Sequence, residues 1–102
     1  GKSYANKYLV MYVLPNKDGK DKLGISVSKK VGNSIVRHRI ARLIRETYRL
    51  NKKVFNSGLN IICIARVGAK GRSYSEIEKA FLHLVKLHGF LTESEVSKDA
   101  NN

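Results

Sequence analysis

Residues 29–49 read KKVGNSIVRHRIARLIRETYR, and few folds can accommodate such a stretch. Val36, Ile40, Leu43, Thr47 and Leu50 recur at the i, i+4, i+7 spacing of one helical stripe, with Ile44 at its edge. At about 100° per residue, His38, Arg42, Arg45 and Arg49 fall within about 60° of one another on the opposite side. Arg37 and Arg39 flank the helix start, and Glu46 is the segment's single acid. Asn33 or Ser34 can cap the helix by offering a side-chain oxygen to the free N–H groups of its first turn. Arg42, Arg45 and Arg49 repel one another by a few tenths of a kcal/mol per pair, roughly, at i+3 and i+4 spacing. Glu46 lies on another side and offsets little of this. A solvated Lys/Glu face would be cheaper. Arginine without lysine across residues 35–50 instead suits forked, bidentate contacts to phosphate.

The flanking segments supply the surface that the apolar stripe covers. Residues 8–14, YLVMYVL, form a predicted strand with Tyr8, Val10, Tyr12 and Leu14 on one face and Leu9, Met11 and Val13 on the other. Both faces are apolar, so both are expected to be covered. Residues 15–21, PNKDGKD, read as a hairpin loop returning into a second strand, KLGISVS, at 22–28. In that strand Leu23, Ile25 and Val27 share a side, and Gly24, Ser26 and Ser28 leave the other smooth and polar. Gly32 allows a positive φ or a close backbone approach to a ligand just before the helix. Residues 51–60 form a connection, and NIICIAR at 60–66 is a third strand, apolar enough to be buried on both faces. Strand, helix, strand in this order implies a parallel pair joined by a crossover. A basic glycine-containing loop at 67–72 precedes a capping box at Ser73 to Glu76. Ile77, Ala80, Phe81, Leu84, Val85 and His88 mark an amphipathic helix that Gly89 ends. The reading is one domain over residues 1–91 and a polar, disordered tail over 92–102.

Twenty Lys and Arg against eight Asp and Glu give a net charge of +12, a field that attracts polyanions and makes binding salt-dependent. No apolar run approaches the ~18 residues of a membrane span, and nothing resembles a signal peptide. The single Cys63 excludes an internal disulfide and suits a reducing cytosol. His38, His83 and His88 stand without a placed Asp/Glu pair, so neither a metal site nor a nuclease site converges, and no protein residue is assigned a catalytic role. His83 lies off the apolar stripe and is expected in solvent; Cys63 is expected to be a small core residue. The expectation is a cytoplasmic nucleic-acid binder.

The segment GISVSKKVGNSIVRHRIARLIRE resembles the signature of the bacterial ribonuclease P protein subunit, an Arg-Asn-Arg helix following a Ser-Lys-Lys-x-Gly-Asn turn. IICIAR and SYSEIEKAFLHLVK follow in the family order, so the similarity spans about residues 3–91. The resemblance implies an α+β fold, an α/β sandwich like the second domain of ribosomal protein S5. Its mixed sheet would carry the helices, with a left-handed βαβ crossover that departs from the usual right-handed rule. It implies a large catalytic RNA as partner and precursor tRNA as substrate, with hydrolysis releasing the 5′ leader. The RNA would hold the active site and magnesium; no membrane and no further protein partner is implied. Carried over by residue, Lys29, Lys30, Gly32 and Asn33 form the turn. Arg37, Arg39, Arg42 and Arg45 face the RNA, with His38 and Arg49 on the same helix. Val10 and Tyr12 floor the leader cleft, and alternation adds Tyr8 to that face; each stacked base would contribute ~1–3 kcal/mol.

Three departures accompany the resemblance. His38 replaces the middle Asn of Arg-Asn-Arg and adds a titratable group. Ala41 replaces a lysine and removes one phosphate contact. The family's first helix, whose aromatics wall the leader cleft, has no counterpart in the residues present. Two other readings share the charge: a ribosomal or general RNA-binding protein, and a stand-alone nuclease. The first gives no reason for a tyrosine strand face, and the second needs converging acids or histidines.

Overall fold

A computed structural model describes residues 2–52 and 58–89. Five apolar or alternating stretches resolve into Lys2–Ala5 (β1), Leu9–Pro15 (β2), Lys22–Val27 (β3), Ser34–Leu50 (α1) and Leu59–Ala65 (β4). A 3₁₀ turn at Val67–Ala69 and a helix at Tyr74–Leu87 (α2) follow. The sheet order is β1-β2-β4-β3. β1 and β2 pair antiparallel, as do β2 and β4, whereas β3 and β4 run parallel across the α1 crossover. The parallel pair expected from strand, helix, strand is therefore present.

The hairpin expected across residues 15–21 is not. β2 and β3 do run in opposite senses, but β4 lies between them and bonds to both. The turn is shaped to leave that gap. Asn16 Nδ2 donates to the Lys20 carbonyl at 2.9 Å and to Asn60 Oδ1 at 2.8 Å. The Leu59 N–H donates to Asp21 Oδ1 at 3.1 Å, and the Asn16 N–H donates to the Gly58 carbonyl. Polar turn residues thus seat the start of β4 instead of closing a two-strand ribbon. Gly58 holds φ +95°, where a side chain would be strained.

Alternation decides the layers. Leu9, Met11, Val13, Ile61, Cys63 and Ala65 are buried in one core with Ile40 and Ile44 of α1 and Ile77, Ala80, Phe81, Leu84 and Val85 of α2. Their neighbours along each strand point to the other side of the sheet. That side is open: Tyr12 is 43%, Leu14 42% and Ile62 40% exposed. The expectation that β2 and β4 are covered on both faces is corrected. Both helices pack on one face, giving a two-layer α+β sandwich. α1 also turns slightly from its predicted stripe. Ile44 is fully buried, whereas Leu50 is 56% exposed because it ends the last turn. The buried Thr47 hydroxyl donates to the Leu43 carbonyl at 2.8 Å, so no polar group is stranded there.

Local chemistry fixes the helix ends. Ser73 and Glu76 complete the capping box of α2 in both directions. The Ser73 N–H bond and hydroxyl, with Arg72 beside them, hold the Glu76 carboxyl below the usual carboxylate range. His88 is the C-cap, and Gly89 follows at φ +85°. His88 Nε2 lies 3.0 Å from the Met11 carbonyl, and its ring meets Tyr4 edge-on at 4.6 Å. Midway along α2, Asn6 closes the β1–β2 turn. Its Oδ1 accepts from the Tyr8 and Leu9 N–H groups and its Nδ2 donates to the Ala80 carbonyl. The tail expected at 92–102 lies outside the described residues.

Phe81 is the largest fully buried side chain of this single core. Phe81→Ala is expected to destabilise the protein by ~3–5 kcal/mol, the range for deleting a buried ring. Urea unfolding followed by circular dichroism reads this, and an unchanged midpoint would contradict the packing.

Candidate nucleic-acid interface

Of the two expected caps, Asn33 is the one used. Its side chain accepts from the Val36 N–H at 3.0 Å. The preceding turn is anchored by Val31, which is buried and donates its N–H to the Ser28 carbonyl at 3.1 Å. This leaves Lys29 and Lys30 exposed beside the helix start. Gly32 does not take a positive φ. A Cβ there would come within 2.8 Å of the Val36 side chain, so its close approach is to the helix itself rather than to a ligand.

The cations of α1 divide into two groups. Arg49 pairs with Glu46, whose carboxyl the guanidinium hydrogen bond holds below its ordinary range. Sequence spacing puts Glu46 on another side of the helix, but one helical turn is within reach of a long arginine. Arg39 donates from Nη2 to the Arg72 carbonyl at 3.0 Å, bracing α1 against the loop before α2. Arg42 and Arg45 make no hydrogen bond or ion pair to another described residue and stand exposed. With Ser34, Ile35, His38 and Arg39 they line a basin of about 470 Å³ that no acid borders. The geometry suits a phosphate backbone laid along the helix.

Beside the basin, Ile25 and Val27 of β3 face Ser34, Arg37, His38, Ala41 and Arg45 across a slot of about 200 Å³. Arg37 Nε is buried there without an acceptor. An unmet donor of this kind costs on the order of 1–3 kcal/mol. Neither Ile25 nor Val27 stands out in the sequence as a site residue, and Ala41 enters there only as the replacement of a lysine. The only signal is the half-apolar alternation of a strand that turns out to lie at the sheet edge.

The second surface is the open sheet face. Tyr12 of β2 lies opposite Ile62 of β4, which lies opposite Gly24 of β3; Val10, Ile64 and Ser26 form the next row. Small β3 side chains leave the Tyr12 ring accessible from that direction. Ile62 and Ile64 extend the apolar floor beyond the residues expected from sequence. Tyr8 separates from Val10 and Tyr12. The Arg72 guanidinium sits 5.0 Å from its ring centroid, and Tyr8 lines a cavity with Lys79 and Ala80 of α2. It precedes β2 in the turn that Asn6 closes, so strand alternation does not govern it.

The three histidines stay apart: His38 on α1, His83 exposed on α2 with Nδ1 3.2 Å from Asn6 Nδ2, and His88 against Met11. Burial pushes the Cys63 thiol up to about 12. Among the described residues no three His, Cys, Asp or Glu side chains gather, and no helix is long and apolar enough to cross a membrane.

Known proteins resemble this chain in sequence and fold. The Ribonuclease P family model matches residues 1–88. The ribonuclease P protein component of Lachnoclostridium phytofermentans is 62% identical over 99 residues, covering 97% of this chain and 85% of that protein. That of Clostridioides difficile is 52% identical over 87 residues, covering 84% and 76%. The structure of the Staphylococcus aureus RNase P protein superposes with a TM-score of 0.82 at 38% identity, covering 90% of this chain and 84% of that one. The Thermotoga maritima protein gives 0.76 at 31%, covering 84% and 82%. A polyarginine helix on a mixed four-stranded sheet, matched in sequence along nearly its whole length, places the chain in the family of bacterial ribonuclease P protein components, RNA-binding members of a tRNA-processing ribonucleoprotein.

Proposed function

We propose that this chain acts in the cytoplasm beside a catalytic RNA that itself removes the 5′ leader of precursor tRNA. The observation that carries this reading is an arginine face on α1, with Arg42 and Arg45 free of acids, set on a sheet whose other face exposes Tyr12 and Ile62. Arg42, Arg45 and His38, extended by Lys29 and Lys30, dock along the phosphates of the catalytic RNA. Arg37 and Arg39 support them from the helix start, while Gly32 and Asn33 set the turn that aims the helix. Arg49 stands at the far end, where a phosphate would compete with Glu46 for its guanidinium. On the opposite side of the sheet, Tyr12 stacks an unpaired base of the leader over a floor made by Val10 and Ile62.

Magnesium takes oxygen ligands, and the side chains of the basin offer three guanidinium groups, an imidazole, an apolar isoleucine and a single serine hydroxyl. These residues do not fit the ion, so the reading assigns it to RNA phosphates. The protein's part is to lower the repulsion between RNA strands and to hold the leader in register. A general RNA-binding protein would carry the charge but gain nothing from an exposed Tyr12 face.

Two outcomes test this reading. Replacing Arg42 and Arg45 with alanine is expected to weaken binding to a bacterial ribonuclease P RNA and to flatten its salt dependence by roughly one unit of slope per lost phosphate contact. A salt titration with unchanged affinity and slope, with helix content intact by circular dichroism, would rule the arginine face out. In the holoenzyme, Tyr12→Ala is expected to cost about 1–3 kcal/mol of binding to precursor tRNA and almost nothing for mature tRNA. Tyr12→Phe keeps the ring and should cost much less. Equal losses for both tRNAs would assign Tyr12 to the fold rather than to the leader.

A further inference from the structure

The slot between β3 and α1 differs in chemistry from the basin beside it, and the two share Ser34, His38 and Arg45 as a common wall. The basin is broad and cationic. The slot is smaller and mixed, with Ile25, Val27 and the Ala41 methyl as its apolar part and Arg37 and Arg45 among its polar lining. β3 ends the sheet, so every second residue turns an unpaired backbone N–H and C=O outward along this border. We infer that the slot takes a single unpaired nucleobase of the RNA partner, with the attached phosphate in the basin.

Each part of the juxtaposition meets one part of a nucleotide. The apolar lining and the guanidinium planes receive the faces of a base, as they do in recognition of splayed-out RNA nucleotides. The free strand edge offers donors and acceptors to the base edge. Arg37 Nε, the one buried side-chain donor without a partner among the described residues, gains an acceptor after a small rotation. A volume of about 200 Å³ admits one base and not a stacked pair. The absence of any acid in the lining favours a polyanion over a peptide strand added to β3. Paired RNA cannot present a base here, so the slot would select bulged or looped RNA. This inference rests on the RNA-docking reading above and adds a preference to it.

The test uses the full chain and two hairpin RNAs, identical except that one carries a single bulged 2-aminopurine nucleotide in its stem. The bulged hairpin is expected to bind about tenfold tighter, the effect of one stacked base. It should also shift the methyl resonances of Ile25, Val27 and Ala41, which the paired hairpin leaves in place. Ala41→Leu fills the slot, keeps every charge and remains a good helix former. It should bring the ratio to about one without weakening the paired hairpin. Equal affinities in the unaltered chain, unmoved methyls, or a preference that survives in Ala41→Leu would each overturn the slot while leaving the arginine face standing. Loss of binding to both hairpins by the unaltered chain would overturn the docking reading and the slot together. The methyl shifts decide the matter on the unaltered chain if the variant fails to fold.

Discussion

Backbone pairing along β4 is the constraint on which the rest of the molecule depends. This strand bonds antiparallel to β2 over Leu9 to Pro15 and parallel to β3 over Lys22 to Val27. A parallel neighbour cannot be reached by a tight turn, so the chain must cross over the sheet between β3 and β4. That crossover is α1. The arginine helix is therefore held where it is by the strand it leads into. Ile40 and Ile44 lock it down by sharing the core with Ile61 and Cys63. Side chains on the far side of the helix are left facing outward, and those are His38, Arg42 and Arg45.

Electrostatics works against this compact form. The chain carries +12, and three ion pairs occur among the described residues, each between exposed groups. Exposed pairs contribute little, on the order of 0–1 kcal/mol each. Stability must come from the apolar core and the satisfied turns, while the cations are retained at a cost to the free protein. Polyanion binding removes that cost, which ties the uneven charge to function rather than to folding. The two faces differ in chemistry, one cationic and one apolar with an exposed ring.

Strong periodicity made much of this legible. The caps at Asn33 and Ser73, the core stripe of α2, the burial of Cys63 and the parallel crossover all follow from local patterns that tertiary packing did not override. What failed was information that no local pattern contains. The run from Pro15 to Asp21 looks like any hairpin turn, because its spacing cannot say whether a third strand will enter between the two it joins. The apolar residues Val10, Tyr12, Ile62 and Ile64 look like core, because composition does not distinguish a covered sheet face from an open one. Tyr8 reads as part of the strand until Asn6 is seen to bend the chain beside it. The arginine stripe was plain, yet which arginines stay free depends on Glu46 and on the Arg72 carbonyl. The second of these lies far away in sequence.

The burial of Cys63 has a practical reach. Its thiol sits in the middle of the central strand, fully shielded, with its ionisation pushed up to about 12. Thiolate is the reactive form, so a disulfide reagent finds almost nothing to attack in the folded sheet. Modification then waits for β4 to part from its neighbours. As the sole cysteine of the chain, Cys63 is a built-in clock for that event. The rate at which it is labelled counts openings of the sheet's centre, and any RNA that clamps the two faces would slow it.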